Sequence, residues 1–302
     1  MLIVYDELYG DHLRNLGQPD SPDRVEVVAS RLRARGKFGS LVAARDARDD
    51  ELRRVHAPDY VELVKREAAN VVRARYLSTG DVVIDDRSLA VARRAAGGAI
   101  AAIETAAQKR RPVFALIRPP GHHAESARGM GFCLFNNAAI AARAYQAMYG
   151  GRVLIVDFDY HHGNGTQDVA GDGLSYVSTH AYPAYPGTGR ENVELDGGVA
   201  INVPLPASGV ATETFVATWE GLLPEIARAT RPNAIVVSAG FDYVKGDPVG
   251  DLGVDVEAGS HLAAAISAIA ADHNAALAYV LEGGYNIDAL TDSIERIIDA
   301  GD

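Results

Sequence analysis

Cysteine is almost absent from this chain, with Cys133 standing alone. A single thiol excludes an internal disulfide and any zinc module built from several cysteines. Long hydrophobic runs are missing as well. The Ala-rich stretch 95–107 is apolar, but it is too short and too small in side chain to span a bilayer, so it reads as a packed helix. The chain opens on no secretory hydrophobic region, and the expected compartment is the cytoplasm. Basic residues are outnumbered, 29 Lys and Arg against 40 Asp and Glu, for a net charge of −11. That balance argues against a nucleic-acid partner and is read first as a solubility device. Internal repeats, low-complexity tracts and Pro/Gly/Ser-rich linkers are absent too. With 302 residues and 48% hydrophobic content, the chain is expected to form a single catalytic domain over 1–302.

What is present is an alternation of apolar runs and amphipathic segments. Strands are expected at Leu2–Tyr5, Val113–Ile117, Val153–Asp157, Leu174–Thr179, Ala234–Ser238 and Leu277–Leu281. Helices are expected at Asp23–Arg35, Pro58–Asn70, Arg87–Gln108, Asn136–Tyr149, Ala211–Ala229, Val256–Asp272 and Asn286–Asp299. Continuous apolar strands separated by helices predict an α/β fold, with a mostly parallel central sheet flanked by helices. Ligands in such folds bind beyond the carboxyl ends of the strands.

The unusual residues gather at those ends. In the strand leading to Asp157-Phe158-Asp159-Tyr160-His161-His162-Gly163, alternate side chains share a face, so Asp157, Asp159 and His161 project together. Asp242, at the end of Ser238-Ala239-Gly240-Phe241-Asp242, follows another apolar strand. Asp159, His161 and Asp242 can supply three ligands to a divalent metal with an open position. One such Asp alone would read as a helix or turn cap; the packed group does not. The tandem His122-His123, behind Pro119-Pro120-Gly121, suits proton transfer near neutral pH, with Asp157 available to orient it. Tyr285, after Gly283-Gly284, can donate a hydrogen bond to a developing oxyanion. Cys133 reads as a small buried thiol rather than a nucleophile.

Taken together, Arg118-Pro119-Pro120-Gly121-His122-His123-Ala124, Gly131-Phe132-Cys133-Leu134-Phe135-Asn136-Asn137, Asp157 to Thr166, Ser238 to Asp242 and Leu281-Glu282-Gly283-Gly284-Tyr285-Asn286 resemble the zinc-dependent histone deacetylase family. That family includes bacterial acetylpolyamine amidohydrolases and acetoin-utilization proteins. The motifs run in family order, and Pro19-Asp20-Ser21-Pro22-Asp23-Arg24 resembles an earlier one. Asn164 and Glu282 are similar to the class II and bacterial branch. The resemblance implies an arginase/deacetylase-like fold and a zinc amidohydrolase acting on N-acetylated amines such as acetyl-lysine or acetylpolyamines. It implies zinc on Asp159, His161 and Asp242, His123 as general base, His122 as its electrostatic partner hydrogen-bonded to Asp157, and Tyr285 at the oxyanion. Gly131, Phe132 and Tyr185 would wall a substrate tunnel, Asp81 would hold substrate at its mouth, and Arg24 would line an acetate exit. A structural K⁺ is implied near Asp157, Asp159, His161, Ser178 and Thr179.

Several positions depart from the family pattern. Gln18 replaces a His, and Asn164 replaces an Asp of the class I branch, so an amide would orient His123. Val249 stands where polyamine-selective eukaryotic relatives carry a glutamate, which weakens a polyamine preference. Two other readings stay open: an arginase-like ureohydrolase with two manganese ions, marked by a metal count of two, and a catalytically silent acyl-ligand binder, marked by binding without turnover. Neither nucleic acid nor membrane is expected as a partner, and the oligomeric state is left open.

Overall fold

The computed structural model describes residues 1–38 and 41–301. Its strands are β1 (Leu2–Val4), β2 (Leu41–Val42), β3 (Arg75–Tyr76), β4 (Val83–Ile84), β5 (Val113–Ala115), β6 (Val153–Asp157), β7 (Leu174–Ala181), β8 (Val193–Leu195), β9 (Gly198–Leu205), β10 (Ala234–Ala239) and β11 (Ala276–Leu281). Its helices are α1 (Asp23–Ala34), α2 (Asp49–Leu52), α3 (Pro58–Ala69), α4 (Ser88–Lys109), α5 (Asn137–Tyr149), α6 (Asn164–Asp168), α7 (Thr212–Thr230), α8 (Ala258–Asp272) and α9 (Ile287–Ala300).

Nine strands form one sheet in the order β2-β1-β5-β11-β10-β6-β7-β9-β8. Every pairing in it is parallel except β8 with β9. Strands β6, β10 and β11 are buried at every residue, which requires cover on both faces of the sheet. Helices α4 and α5 pack together against the central strands, while α8 packs between α7 and α9, with α1 against α9. The α/β expectation therefore holds, and the stretch 95–107 lies within the buried α4.

The order of strands places the site. β5, β11, β10 and β6 are consecutive neighbours at the centre of the sheet. In register, Ser238 pairs with Asp157 and Ala239 with Leu281. All four motif-bearing strands therefore release their chains side by side along one edge. β3 and β4 form a separate antiparallel hairpin whose turn carries Asp81. Among the described residues, no helix is long and apolar enough to cross a membrane.

Candidate functional site

At the carboxyl ends of β6 and β10, Asp159, His161 and Asp242 bring one ligand atom each to within 4.8 Å of one another. The two aspartates are fully buried and the His161 side chain is 12% exposed. Asp159 is held by its backbone neighbours: Oδ1 accepts from the His161 N–H at 2.8 Å and Oδ2 from the Gly283 N–H at 2.8 Å. Asp242 Oδ1 accepts from the Tyr160 N–H at 2.9 Å. Its other oxygen, Oδ2, is buried without a hydrogen-bond partner, although it lies 2.8 Å from His161 Nδ1. A close approach of two electron-pair donors without hydrogen-bond geometry is what a shared cation would organise. Charge supports the same fit. Burial, and then the neighbouring Asp159 carboxylate, push Asp242 up to about 7, so the pair resists carrying two uncompensated charges. Two hard oxygens and one imidazole nitrogen suit a divalent metal such as zinc. Only glycine fits at position 283, where a Cβ would stand 2.6 Å from both Asp159 Oδ2 and Asp242 Oδ2.

The tandem histidines sit beside this cluster, with their rings 4.1 Å apart. His122 Nδ1 meets Asp157 Oδ2 at 3.1 Å, and Asp157 Oδ2 also accepts from the Tyr176 hydroxyl at 3.0 Å. Burial alone would lower the His122 pKa; Asp159 and Asp157 outweigh it and push the ring up to about 10. His123 moves the other way. Burial, and then positive charge on the adjacent His122, holds it well below its ordinary value. His123 Nδ1 pairs with Asn164 Oδ1 at 2.8 Å, so the amide orients this ring, and among the described residues Nε2 has no hydrogen-bond partner. Neighbouring titratable groups driven apart in this way suit a charged partner beside a neutral base.

Tyr285 completes the constellation. Its ring lies 4.8 Å from the Arg24 guanidinium and 5.8 Å from the Phe132 ring. Among the described residues its hydroxyl has no hydrogen-bond partner, and burial keeps the phenol protonated by raising its pKa well above the usual value. A cavity of about 360 Å³ joins these groups, lined among others by His122, His123, Gly131, Phe132, His161, Tyr185, Val249 and Tyr285. At its mouth Asp81 ties two walls together: Oδ1 accepts from the Gly131 N–H at 2.9 Å and Oδ2 from the Tyr185 hydroxyl at 3.0 Å. Gly131 adopts φ +56°, and a Cβ there would meet His123 Cδ2 at 2.3 Å.

Other expected residues lie around the cavity. Arg24 does not line the cavity. It is buried behind Tyr285, donating to the Gly284 carbonyl at 2.7 Å, to Asp20 Oδ1 at 2.7 Å and to the Glu282 carbonyl. Asp157, Ser178 and Thr179 lie on the neighbouring strands β6 and β7, with Asp157 in register with Ser178. Ser178 Oγ, on the same sheet face as Asp157, pairs with His180 Nδ1 at 2.8 Å. Cys133 is buried, its Sγ 3.2 Å from the Gly131 carbonyl, as expected of a structural thiol. Sequence reasoning missed Tyr76, 66% exposed at the cavity mouth, and Asp247, buried beside Tyr285. A hairpin turn at Ser78-Thr79-Gly80-Asp81 and an Asp before a proline were the available signals, and both read more readily as loops.

Comparison with known proteins gives this geometry a family. The histone deacetylase domain model matches residues 18–300. Histone deacetylase 15 of Arabidopsis thaliana is 35% identical over 93% of this chain and 52% of its own length. A polyamine deacetylase of Homo sapiens is 33% identical over 91% of this chain and 43% of its own. A protein of Archaeoglobus fulgidus named "Probable deacetylase" is 32% identical over 95% of this chain and 81% of its own. The chain thus spans about half the length of the plant and human relatives. The crystal structure of the HDA15 HD domain superposes with a TM-score of 0.91 at 33% identity, covering 99% of this chain and 86% of that one. The chain belongs to the histone deacetylase family.

Proposed function

We propose that the chain, acting as one catalytic domain over 1–302, is a zinc-dependent amidohydrolase. Its substrates are N-acylated amines, with acetyl or short acyl groups removed from acetyl-lysine or acetylpolyamines. The carrying observation is the convergence, at the foot of one cavity, of the Asp159–His161–Asp242 cluster with an unengaged His123 Nε2 and an unengaged Tyr285 hydroxyl. Asp159, His161 and Asp242 would hold the metal, whose chemistry when bound is Lewis acidity: carbonyl polarisation and acidification of water.

The chain's own residues divide the remaining work. Phe132, Gly131 and Tyr185 hold the alkylamine stem and keep bulk water out. His123 Nε2 takes a proton from the attacking water while Asn164 fixes the ring through Nδ1. The Tyr285 hydroxyl donates to the oxygen on which negative charge develops. His122, beside Asp157, stabilises the charge that forms. As the carbon–nitrogen bond breaks, a histidine returns the proton to nitrogen, giving a carboxylate and a free amine. A K⁺ ion near Asp157, Asp159, His161, Ser178 and Thr179 would stiffen this corner, where β6 and β7 run in register. Asn164 and Glu282 support the class II-like bacterial branch. Asp81 is the only carboxylate among the described cavity-lining residues outside the metal cluster, and both its oxygens are engaged. That favours acyl-lysine over a substrate whose distal ammonium needs a partner.

The test is acetate release from a panel of acetyl-lysine peptides, acetylated polyamines and other N-acyl amines. Turnover should vanish after chelation and return with zinc. Full activity after metal removal, or no turnover of any panel member by zinc-loaded protein, would contradict the reading.

A further inference from the structure

Asp247 is a buried carboxylate. Among the described residues no Lys, Arg or His lies within ion-pair distance of it. Its charge is met instead by backbone amides from two loops. Oδ1 accepts from the Val249 N–H at 2.9 Å and the Gly250 N–H at 3.1 Å. Oδ2 accepts from the Tyr285 N–H at 2.6 Å and the Asn286 N–H at 2.9 Å. Asn286 reinforces the link, its Nδ2 donating to the Gly246 carbonyl at 3.2 Å. Charge-assisted bonds of this kind are short and about twice as strong as neutral ones.

The two loops matter for the reaction. The first follows β10 and carries both Asp242 and the cavity-lining Val249; the second follows β11 and carries Tyr285. Before Tyr285, Gly284 sits at φ +115°, a conformation with no side chain to stiffen it. With its hydroxyl unbonded, nothing at the tip of Tyr285 fixes the ring. Packing against Arg24 and Phe132 holds the ring's faces, the backbone sets where the ring starts, and Asp247 holds that backbone.

We infer that Asp247 is the positioning residue of Tyr285: its carboxylate bridges the β10 and β11 loops and sets the phenol's place relative to Asp242. This deepens, and rests on, the amidohydrolase reading. Asp247 touches no substrate, so its effect passes through Tyr285. The upper bound is the loss of the hydroxyl itself, about 10²–10³ in rate, and a misplacement on the order of 1 Å can cost about 10².

The test is a double-mutant cycle on the zinc-loaded protein with Asp247→Asn, Tyr285→Phe and the double variant, read as kcat, KM and zinc content. Asp247→Asn keeps the shape and one acceptor oxygen. It is expected to lower kcat about 10- to 100-fold, keep KM within about twofold and retain the wild-type zinc content. In the Tyr285→Phe background the same change should cost less than about twofold, because the phenol it positions is gone. An equal loss in both backgrounds, or loss of zinc, overturns the inference by assigning Asp247 to general loop or metal-site integrity. If the wild-type protein turns over no N-acyl amine, the amidohydrolase reading fails by itself, and amide exchange judges the clamp. Asp247→Ala should then deprotect the peptide containing Tyr285 and Asn286 while distant peptides are unchanged; equal exchange in both proteins overturns it.

Discussion

Replacing Tyr285 by Phe separates chemistry from stability unusually well. Among the described residues the hydroxyl has no partner, so its removal orphans no buried donor or acceptor, the event that makes most polar deletions expensive. The ring remains, and with it the stacking against Arg24 at 4.8 Å and the contact with Phe132 at 5.8 Å. Folding stability should therefore change by less than about 0.5 kcal/mol. The transition state loses a preorganised donor, worth about 2.7–4 kcal/mol or 10²–10³ in kcat. If the hydroxyl acts chiefly on the developing oxyanion, kcat should fall far more than KM rises. The assay pairs acetate release across substrate concentrations with thermal unfolding and zinc content of the same preparations. A kcat loss below about tenfold would refute the oxyanion role. A fall of several degrees in melting temperature would show that the hydroxyl holds structure instead.

Further perturbations test other parts of the account. Gly283→Ala would drive a Cβ to 2.6 Å from both metal-cluster carboxylates, so zinc occupancy should collapse while the fold persists; metal analysis with circular dichroism checks this. Asp81→Ala frees the Gly131 amide and the Tyr185 hydroxyl at the mouth, so KM should rise about three- to tenfold with kcat nearly spared, measured by steady-state kinetics. His56 predicts a pH dependence of stability. Burial lowers its pKa to about 4, outweighing the Glu125 carbonyl that faces Nδ1 at 3.0 Å, and the neutral ring's Nε2 accepts from the Asn136 N–H at 2.9 Å. Above about pH 6.5 folded and unfolded chains both hold the neutral ring and no penalty arises. As the pH falls from there toward 4, only the unfolded chain gains the proton, and stability drops by up to about 1.4 kcal/mol per pH unit. Denaturant midpoints should show this slope in the wild type and a shallower one in His56→Gln.

The long buried elements were legible because burial on both faces writes itself as continuous apolar runs. Val153–Asp157 and Ala234–Ala239 are examples. The edge of the sheet was not. β9 (Gly198–Leu205) contains glycine and proline and is buried at only some positions, and its partner β8 is mostly exposed, so neither carries a core signature. The site was legible to the extent that its chemistry lies in side chains. Asp159, His161, Asp242, His122, His123 and Tyr285 all sit just beyond strands whose apolar runs point at them. Asp247 escaped because its partners are all backbone amides, two of them 38 and 39 positions away, which leave no mark in side-chain identity. The partners of Arg24, which lies behind Tyr285, were not legible either. It spends its donors on the carbonyls of Glu282 and Gly284, far away in sequence, and on Asp20.

The central claim is that the buried cluster holds one zinc ion. The most direct test is the metal content of purified protein after zinc loading and gel filtration, for wild type and Asp242→Ala, by mass spectrometry of the metals. The account predicts about one zinc per wild-type chain and almost none in the variant, because a catalytic site of this type rests on three protein ligands. A full zinc complement in Asp242→Ala, or two metals per wild-type chain, would contradict it.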